Sequence, residues 1–264
     1  MVGRHSPTGA TPRSLGQHSL RGSRLAEALV HSADVSSSDF VVEIGAGTGT
    51  LTEVLASRAK TVVALELDPR LAARLADRLA ERLPDQTVEV VSVDALRFAW
   101  PGEPFRAFGN IPFAITTPLL RSLLDAPSLW RADLIVQWEV AVKRSLPKPR
   151  NLLNVSWGPW WTFAADLHLG RRCFQPMPSV DAGVLRIERR RHPLLPEAAR
   201  EEFRRFVRLG YGKSSLPLRR SLGTVLTGGQ LHRLASDLGF DPAARAIDLD
   251  LIHWVQVFRF ATAR

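Results

Sequence analysis

The stretch Phe40-Val41-Val42-Glu43-Ile44 running straight into Gly45-Ala46-Gly47-Thr48-Gly49-Thr50 narrows the folds open to this chain more than any other. A largely apolar five-residue run reads as a buried parallel strand. A glycine turn and then a helix, expected to run through Lys60, make it the first strand–turn–helix unit of a doubly wound α/β domain. Glycines permit the tight turn and let backbone approach a ligand where a Cβ would clash. Thr50 stands where a dinucleotide fingerprint wants glycine or alanine, which argues against a nicotinamide or flavin pyrophosphate.

The alternation continues downstream. A second strand over 61–65 runs into Glu66-Leu67-Asp68, and Glu66 lies 21 positions beyond Gly45, where a carboxylate can accept both hydroxyls of a ribose. Asp68 before Pro69 reads as the N-cap of a helix over 69–82, so the ligand role falls to Glu66. A third strand over 87–92 delivers Asp94, placed to take the exocyclic amine of an adenine. A fourth, over 104–108, leads into Phe108-Gly109-Asn110-Ile111-Pro112-Phe113. Pro112 has no N–H to donate, so the Asn110 side chain and the Ile111 carbonyl stand as directed acceptors beside the Phe113 ring. Two acceptors and a ring suit a flat base bearing an amine. The competing reading is an ordinary turn with its own satisfied Asn.

Further strands are expected over 132–138, 162–169 and 182–187, with helices over 23–31, 116–124 and 139–146. Trp157, Trp160 and Trp161 read as core aromatics. Beyond 188–193 the apolar spacing turns helical. The expected architecture is a seven-stranded, mostly parallel sheet with a small all-helical C-terminal domain. Its parts are a basic arm and first helix (1–32), a catalytic domain (33–191) and a basic helical domain (192–264).

Charge is segregated along the chain. Residues 1–32 carry 4 Lys/Arg against 1 Asp/Glu, 33–139 carry 10 against 15, 140–181 carry 6 against 2, and 182–264 carry 15 against 8. Basic flanks around a net-negative body suit a protein that grips a polyanion, and Arg4, Arg13, Lys143, Arg144, Lys148, Arg189, Arg190 and Arg191 are the candidate phosphate contacts. The single cysteine, Cys173, rules out an internal disulfide, and no Cys/His cluster has zinc-ligand spacing, so no metal is expected. The longest uncharged run, 151–165, is shorter than the roughly 20 apolar residues of a membrane span, and a cytoplasmic protein is expected.

Taken together, Gly16-Gln17, Glu43-Ile44-Gly45-Ala46-Gly47-Thr48-Gly49, Glu66, Asp94, Asn110-Ile111-Pro112-Phe113 and Phe174-x-Pro176-x-Pro178-x-Val180-Asp181 resemble the ribosomal RNA adenine N6-methyltransferases. Within that group the chain is most similar to the Erm family, which methylates an adenine of 23S rRNA and confers macrolide, lincosamide and streptogramin B resistance. The alternatives are the 16S rRNA adenine dimethyltransferases and a non-catalytic RNA-binding factor on the same fold; DNA adenine methylation is a further rival. The resemblance implies a class I methyltransferase fold, S-adenosylmethionine as cofactor and a monomer acting on ribosomal RNA before full ribosome assembly. It assigns cofactor contacts to His18, Leu20, Gly45, Gly47, Glu66, Asp94 and Asn110, and a clamp on the target base to Phe113 and Phe174 beside Asn110, Ile111 and Pro112. One departure is His18, where the family usually has Asn. An imidazole replaces one amide hydrogen bond but not both.

Overall fold

The structure, a computed structural model, describes residues 18–148, 151–212 and 215–263. A two-stranded antiparallel ribbon pairs β1 (Ser19–Leu20) with β8 (Phe174–Gln175). The main sheet comprises β2 (Phe40–Ile44), β3 (Thr61–Glu66), β4 (Val88–Ser92), β5 (Phe105–Asn110), β6 (Leu129–Gln137), β7 (Trp161–Leu169) and β9 (Ala182–Arg189). Their order is β4-β3-β2-β5-β6-β9-β7, with β2 parallel to both β3 and β5, β3 parallel to β4, and β5 parallel to β6. From β2 the chain builds outward through β3 to β4, then returns to lay β5 on the other side of β2. That reversal is a topological switch point, and an open α/β sheet binds its ligand at the carboxyl ends of the strands flanking it.

The helices are α1 (Ser23–Ser32), α2 (Thr50–Ala56), α3 (Pro69–Arg82), α4 (Thr116–Asp125), α5 (Trp138–Ser145), α6 (Leu152–Trp157), α7 (Arg200–Gly212), α8 (Leu218–Ser221), α9 (Gly228–Leu238) and α10 (Leu251–Thr262). In α3 the residues Ala72, Leu75 and Leu79 recur on one face and are buried, and Asp68 caps the helix by accepting the Arg70 N–H at 2.8 Å with Pro69 opening the first turn. Removing such a cap costs about 1 kcal/mol. The helix expected through Lys60 stops at Ala56. The Lys60 and Thr61 N–H groups donate to the Asp39 carbonyl, which turns the chain into β3 before another helical turn can form.

Two compact units divide the chain, Met1–Trp138 with Asp166–Val184 and Glu139–Ala165 with Leu185–Arg264. In the first, Ala26, Leu29 and Val30 of α1 join Val41, Leu55, Phe108 and Phe174 in one apolar cluster. Helix α1 is therefore packed into the core of this unit. The guanidinium of Arg106, wholly buried in β5, bonds Asp39 at 3.1 Å, Asp133 at 3.0 Å and the Ala33 carbonyl at 2.6 Å, while Arg131 meets Asp133 at 2.7 Å. Removing one partner from such a network leaves a buried charge uncompensated, which costs about 3–5 kcal/mol.

In the second unit, Trp157, Trp160 and Trp161 are buried, as core aromatics should be. Trp160 meets Phe203 edge-on at 6.0 Å, and Phe203 in turn meets Phe258 at 5.2 Å. Arginines cover the indoles: Arg204 over Trp157 at 4.2 Å, Arg189 over Trp161 at 4.8 Å and Arg200 over Trp160 at 5.3 Å. This aromatic packing draws 139–165 and 185–191 together with the C-terminal helices, so the division differs from the boundary expected after residue 191. Helix α6, unanticipated from the sequence, is capped by Asn151, whose side chain accepts the Asn154 N–H at 3.0 Å.

Candidate active site and cofactor pocket

A pocket of about 330 Å³ opens at the switch point, entirely within the first unit. Its floor comes from the turn after β2, where Gly45, Gly47 and Gly49 all have positive φ. At Gly47, with φ +54, an L side chain would be strained, and its N–H donates to Glu66 Oε2 at 2.8 Å. Gly109 answers a different need: a Cβ there would lie 2.4 Å from the Ile44 carbonyl oxygen. The glycine lets β5 lie close against β2 immediately before Asn110.

Glu66 ends β3 almost fully buried, its Oε1 accepting the Asp68 N–H at 2.9 Å. Each of its oxygens thus takes one backbone N–H and keeps a lone pair for a ligand hydroxyl. Asp94 lines the same pocket and fixes one oxygen on the Leu96 N–H at 2.9 Å. Leu67 and Leu96 stand exposed beside these two acids.

Asn110 closes the other side. Its Nδ2 donates to the His18 carbonyl, which orients the amide so that Oδ1 is an acceptor with no partner among the described residues. The Ile111 N–H is taken by the Ile135 carbonyl at 3.0 Å, while no hydrogen bond fills the Ile111 carbonyl among those residues. Two acceptors therefore stand open among the described residues. Phe113 is half-buried next to them, its ring 6.1 Å from that of His18.

The ribbon of β1 and β8 roofs the pocket with His18, Ser19, Leu20, Phe174 and Pro178. The His18 ring meets the Pro176 carbonyl at 2.8 Å through Nδ1, which donates because a carbonyl only accepts. Arg21 fastens the roof: its N–H reaches the Cys173 carbonyl at 2.8 Å and its Nε the Phe174 carbonyl at 3.0 Å. Neither Arg21 nor the ribbon stood out in the sequence. Phe174 is 1 % exposed and belongs to the apolar cluster beneath, so it shows the pocket only part of its ring and not the free face a base clamp implies.

Glu43 also lines the pocket and is wholly buried in β2. Burial pushes its carboxyl up to about 7; Thr52 pulls it down as a hydrogen-bonding neighbour, and the charge of Glu66 raises it again. That pairing with Thr52 is loose, because neither Thr52 Oγ1 nor Glu43 Oε2 completes a bond of ordinary geometry.

The phosphate-contact candidates separate. Lys143, Lys148 and Arg191 are exposed. Arg144 is bonded to Asn151 and Asn154, the latter at 3.2 Å. Arg189 pairs with Glu197 at 3.1 Å, and Arg190 donates to the Gly158 carbonyl at 2.8 Å; burial lowers the pKa of both. Arg144, Arg189 and Arg190 thus brace the second unit, while Arg4, Arg13, Gly16 and Gln17 lie outside the described residues.

Among the described residues, three carboxylates, Glu43, Glu66 and Asp94, line this pocket and no Lys or Arg does. Such a donor set repels phosphate and suits a ligand with ribose hydroxyls, an aromatic amine and positive charge. The residues fit S-adenosylmethionine, and the switch-point sheet with this pocket defines an S-adenosylmethionine-dependent methyltransferase. The sequence model of the ribosomal RNA adenine dimethylase family matches residues 10–263, and the chain belongs to that family. It is 37% identical over 254 residues to the mycinamicin-resistance protein MyrB of Micromonospora griseorubida, covering 94% of this chain and 80% of the relative. It is 35% identical over 192 residues to an rRNA adenine N-6-methyltransferase of Corynebacterium diphtheriae, covering 73% and 74%. The crystal structure of the 23S rRNA methyltransferase ErmE superposes with a TM-score of 0.81 at 30% identity, covering 93% of this chain and 99% of that one. The protein is an rRNA adenine N6-methyltransferase.

Proposed function

We propose that this enzyme methylates N6 of an adenine in 23S ribosomal RNA and thereby confers macrolide, lincosamide and streptogramin B resistance. The observation that carries the chemistry is the pair of open acceptors, Asn110 Oδ1 and the Ile111 carbonyl, beside the half-buried Phe113 ring. Support for the large-subunit target over 16S rRNA comes from the similarity to MyrB and to the 23S methyltransferase ErmE.

When bound, S-adenosylmethionine supplies an electrophilic methyl group on a sulfonium. Glu66 would accept hydrogen bonds from its ribose hydroxyls and Asp94 from its adenine amine, and His18, Leu20, Gly45 and Gly47 would complete the enclosure. Asn110 Oδ1 and the Ile111 carbonyl accept the two hydrogens of the target amine. That contact favours the pyramidal nitrogen of the transition state over its planar, conjugated ground state, so it lowers the barrier without a strong base. Pro112 fixes the turn that carries these groups, and Phe113 is the platform on which the target base stacks, with Phe174 packed as support. Lys143, Lys148 and Arg191 contact phosphates, and the enzyme works as a cytoplasmic monomer on RNA not yet assembled into ribosomes.

Incubation with tritiated S-adenosylmethionine and, separately, 23S rRNA, 16S rRNA and DNA, followed by mapping of the label, tests the reading. Label is expected at an adenine N6 of 23S rRNA. Label confined to 16S rRNA or DNA overturns it.

A further inference from the structure

A buried carboxylate oxygen without a partner is costly if charged, so Glu43 Oε2 calls for an explanation. Among the described residues, no Lys or Arg lines the pocket around Glu43. On β3, Glu66 repels it, and Asp94 after β4 lines the same pocket. On β5 its register partner is the apolar Phe108. Helix α2 presents Thr52, while the one acid of that helix, Glu53, is paired with Arg78 and Arg82 at 3.2 Å. The roof contributes the His18 ring, tied by Nδ1 to Pro176. Among the described residues, then, no cation lines the pocket beside Glu43, and a cationic ligand would supply one.

We propose that Glu43 is protonated in the empty pocket and releases its proton when the cationic cofactor enters, so that cofactor affinity rises with pH through neutrality. This rests on the methyltransferase reading above. The bond that breaks is the carboxyl O–H, and the proton leaves to solvent as the ligand's positive charge takes its place. A carboxyl poised near 7 is suited to this exchange, since an approaching cation lowers a pKa that burial has raised. The pocket thus meets a cation as an anion without holding an uncompensated buried charge beforehand.

Titration calorimetry of the wild-type chain with S-adenosylmethionine near pH 7, in two buffers of different ionisation enthalpy, reads the proton directly. About half a proton released per site is expected there, and affinity about tenfold tighter at pH 8 than at pH 6. Glu43→Gln should bind with a flatter pH profile and lose the release seen in the wild type, whereas His18→Gln, which removes the imidazole lining the same pocket, should still show it. Zero release by the wild type, or release abolished in His18→Gln, overturns the proposal. Should Glu43→Gln not fold, the wild-type and His18→Gln titrations decide alone. A wild-type chain that binds no S-adenosylmethionine at any pH removes the methyltransferase reading and this proposal with it; binding without proton release removes only the proposal.

Discussion

The two units treat charge in opposite ways. The first gathers acids around its pocket, leaving lone pairs of Glu43, Glu66, Asp94 and Asn110 open to a ligand. The second is rich in arginine, yet Arg189, Arg200 and Arg204 lie on indoles and Arg144 and Arg190 are bonded to their own unit. Formal charge therefore understates what the first unit offers a ligand and overstates what the second offers an RNA. A guanidinium laid on an indole still carries charge, but its stem and plane are committed to packing.

The sharpest challenge to the pocket's side of this contrast is Asn110→Ala. Turnover should fall about 10²- to 10³-fold, the cost of removing one donor or acceptor aimed at a reacting centre, with RNA affinity little changed. Single-turnover rates beside binding isotherms would show it, and weakened RNA affinity with normal turnover would refute the role. Next in size is the stability carried by Glu43. Its folded pKa of about 7 exceeds the ordinary 4.5, so the native state binds its proton more tightly than the unfolded chain does. That stabilisation is complete below about 4.5 and lost as pH rises through 7, a change of about 3 kcal/mol. Denaturant melts of the cofactor-free wild type and Glu43→Gln from pH 5 to 8 should diverge by that slope; parallel curves would mean Glu43 titrates normally.

Phe113→Ala should cost roughly 1–3 kcal/mol of target-base stacking, and Phe113→Leu less. Rates with a short RNA substrate at subsaturating concentration compare them, and three equal rates would place the base elsewhere. The smallest effects address the basic unit. Alanine at Lys143, Lys148 and Arg191 together should reduce the slope of log affinity against log salt by about 0.7–0.9 for each phosphate no longer neutralised, leaving the melting temperature unchanged. Arg190→Ala should do the reverse, losing about 1–3 kcal/mol of stability with its bond to Gly158 and keeping the slope. A shallower slope for Arg190→Ala would erase the distinction between arginines that brace the unit and cations that face solvent.

What the sequence made legible was whatever depends on neighbours along the chain. The span of α3 follows from its cap and apolar period, and the turn after β2 follows from glycines. Glu66, Asp94 and Asn110 were findable because strand ends in a parallel sheet converge by topology. The open state of Asn110 Oδ1 was not, since it depends on a His18 carbonyl 92 residues away. Similarly, β1 and β8 have two residues each, too short for any period to register. The compact units do not divide at the basic run 188–193: Trp160 finds Phe203 across it, a pairing that no local composition records.

The ribbon also sets an order of events in synthesis. Ser19 pairs with Gln175 and Leu20 with Phe174, so the roof cannot close until some 155 residues after β1 have emerged. Closing so long a loop carries an entropic cost that short hairpins avoid, and pairings of this span form late. A nascent chain can therefore hold β2, β3 and their glycine turn long before the roof of the pocket is complete. Because residues 18–20 and Phe174 and Pro178 line one pocket, a cofactor held as proposed would act as a clasp between the first unit's two chain segments.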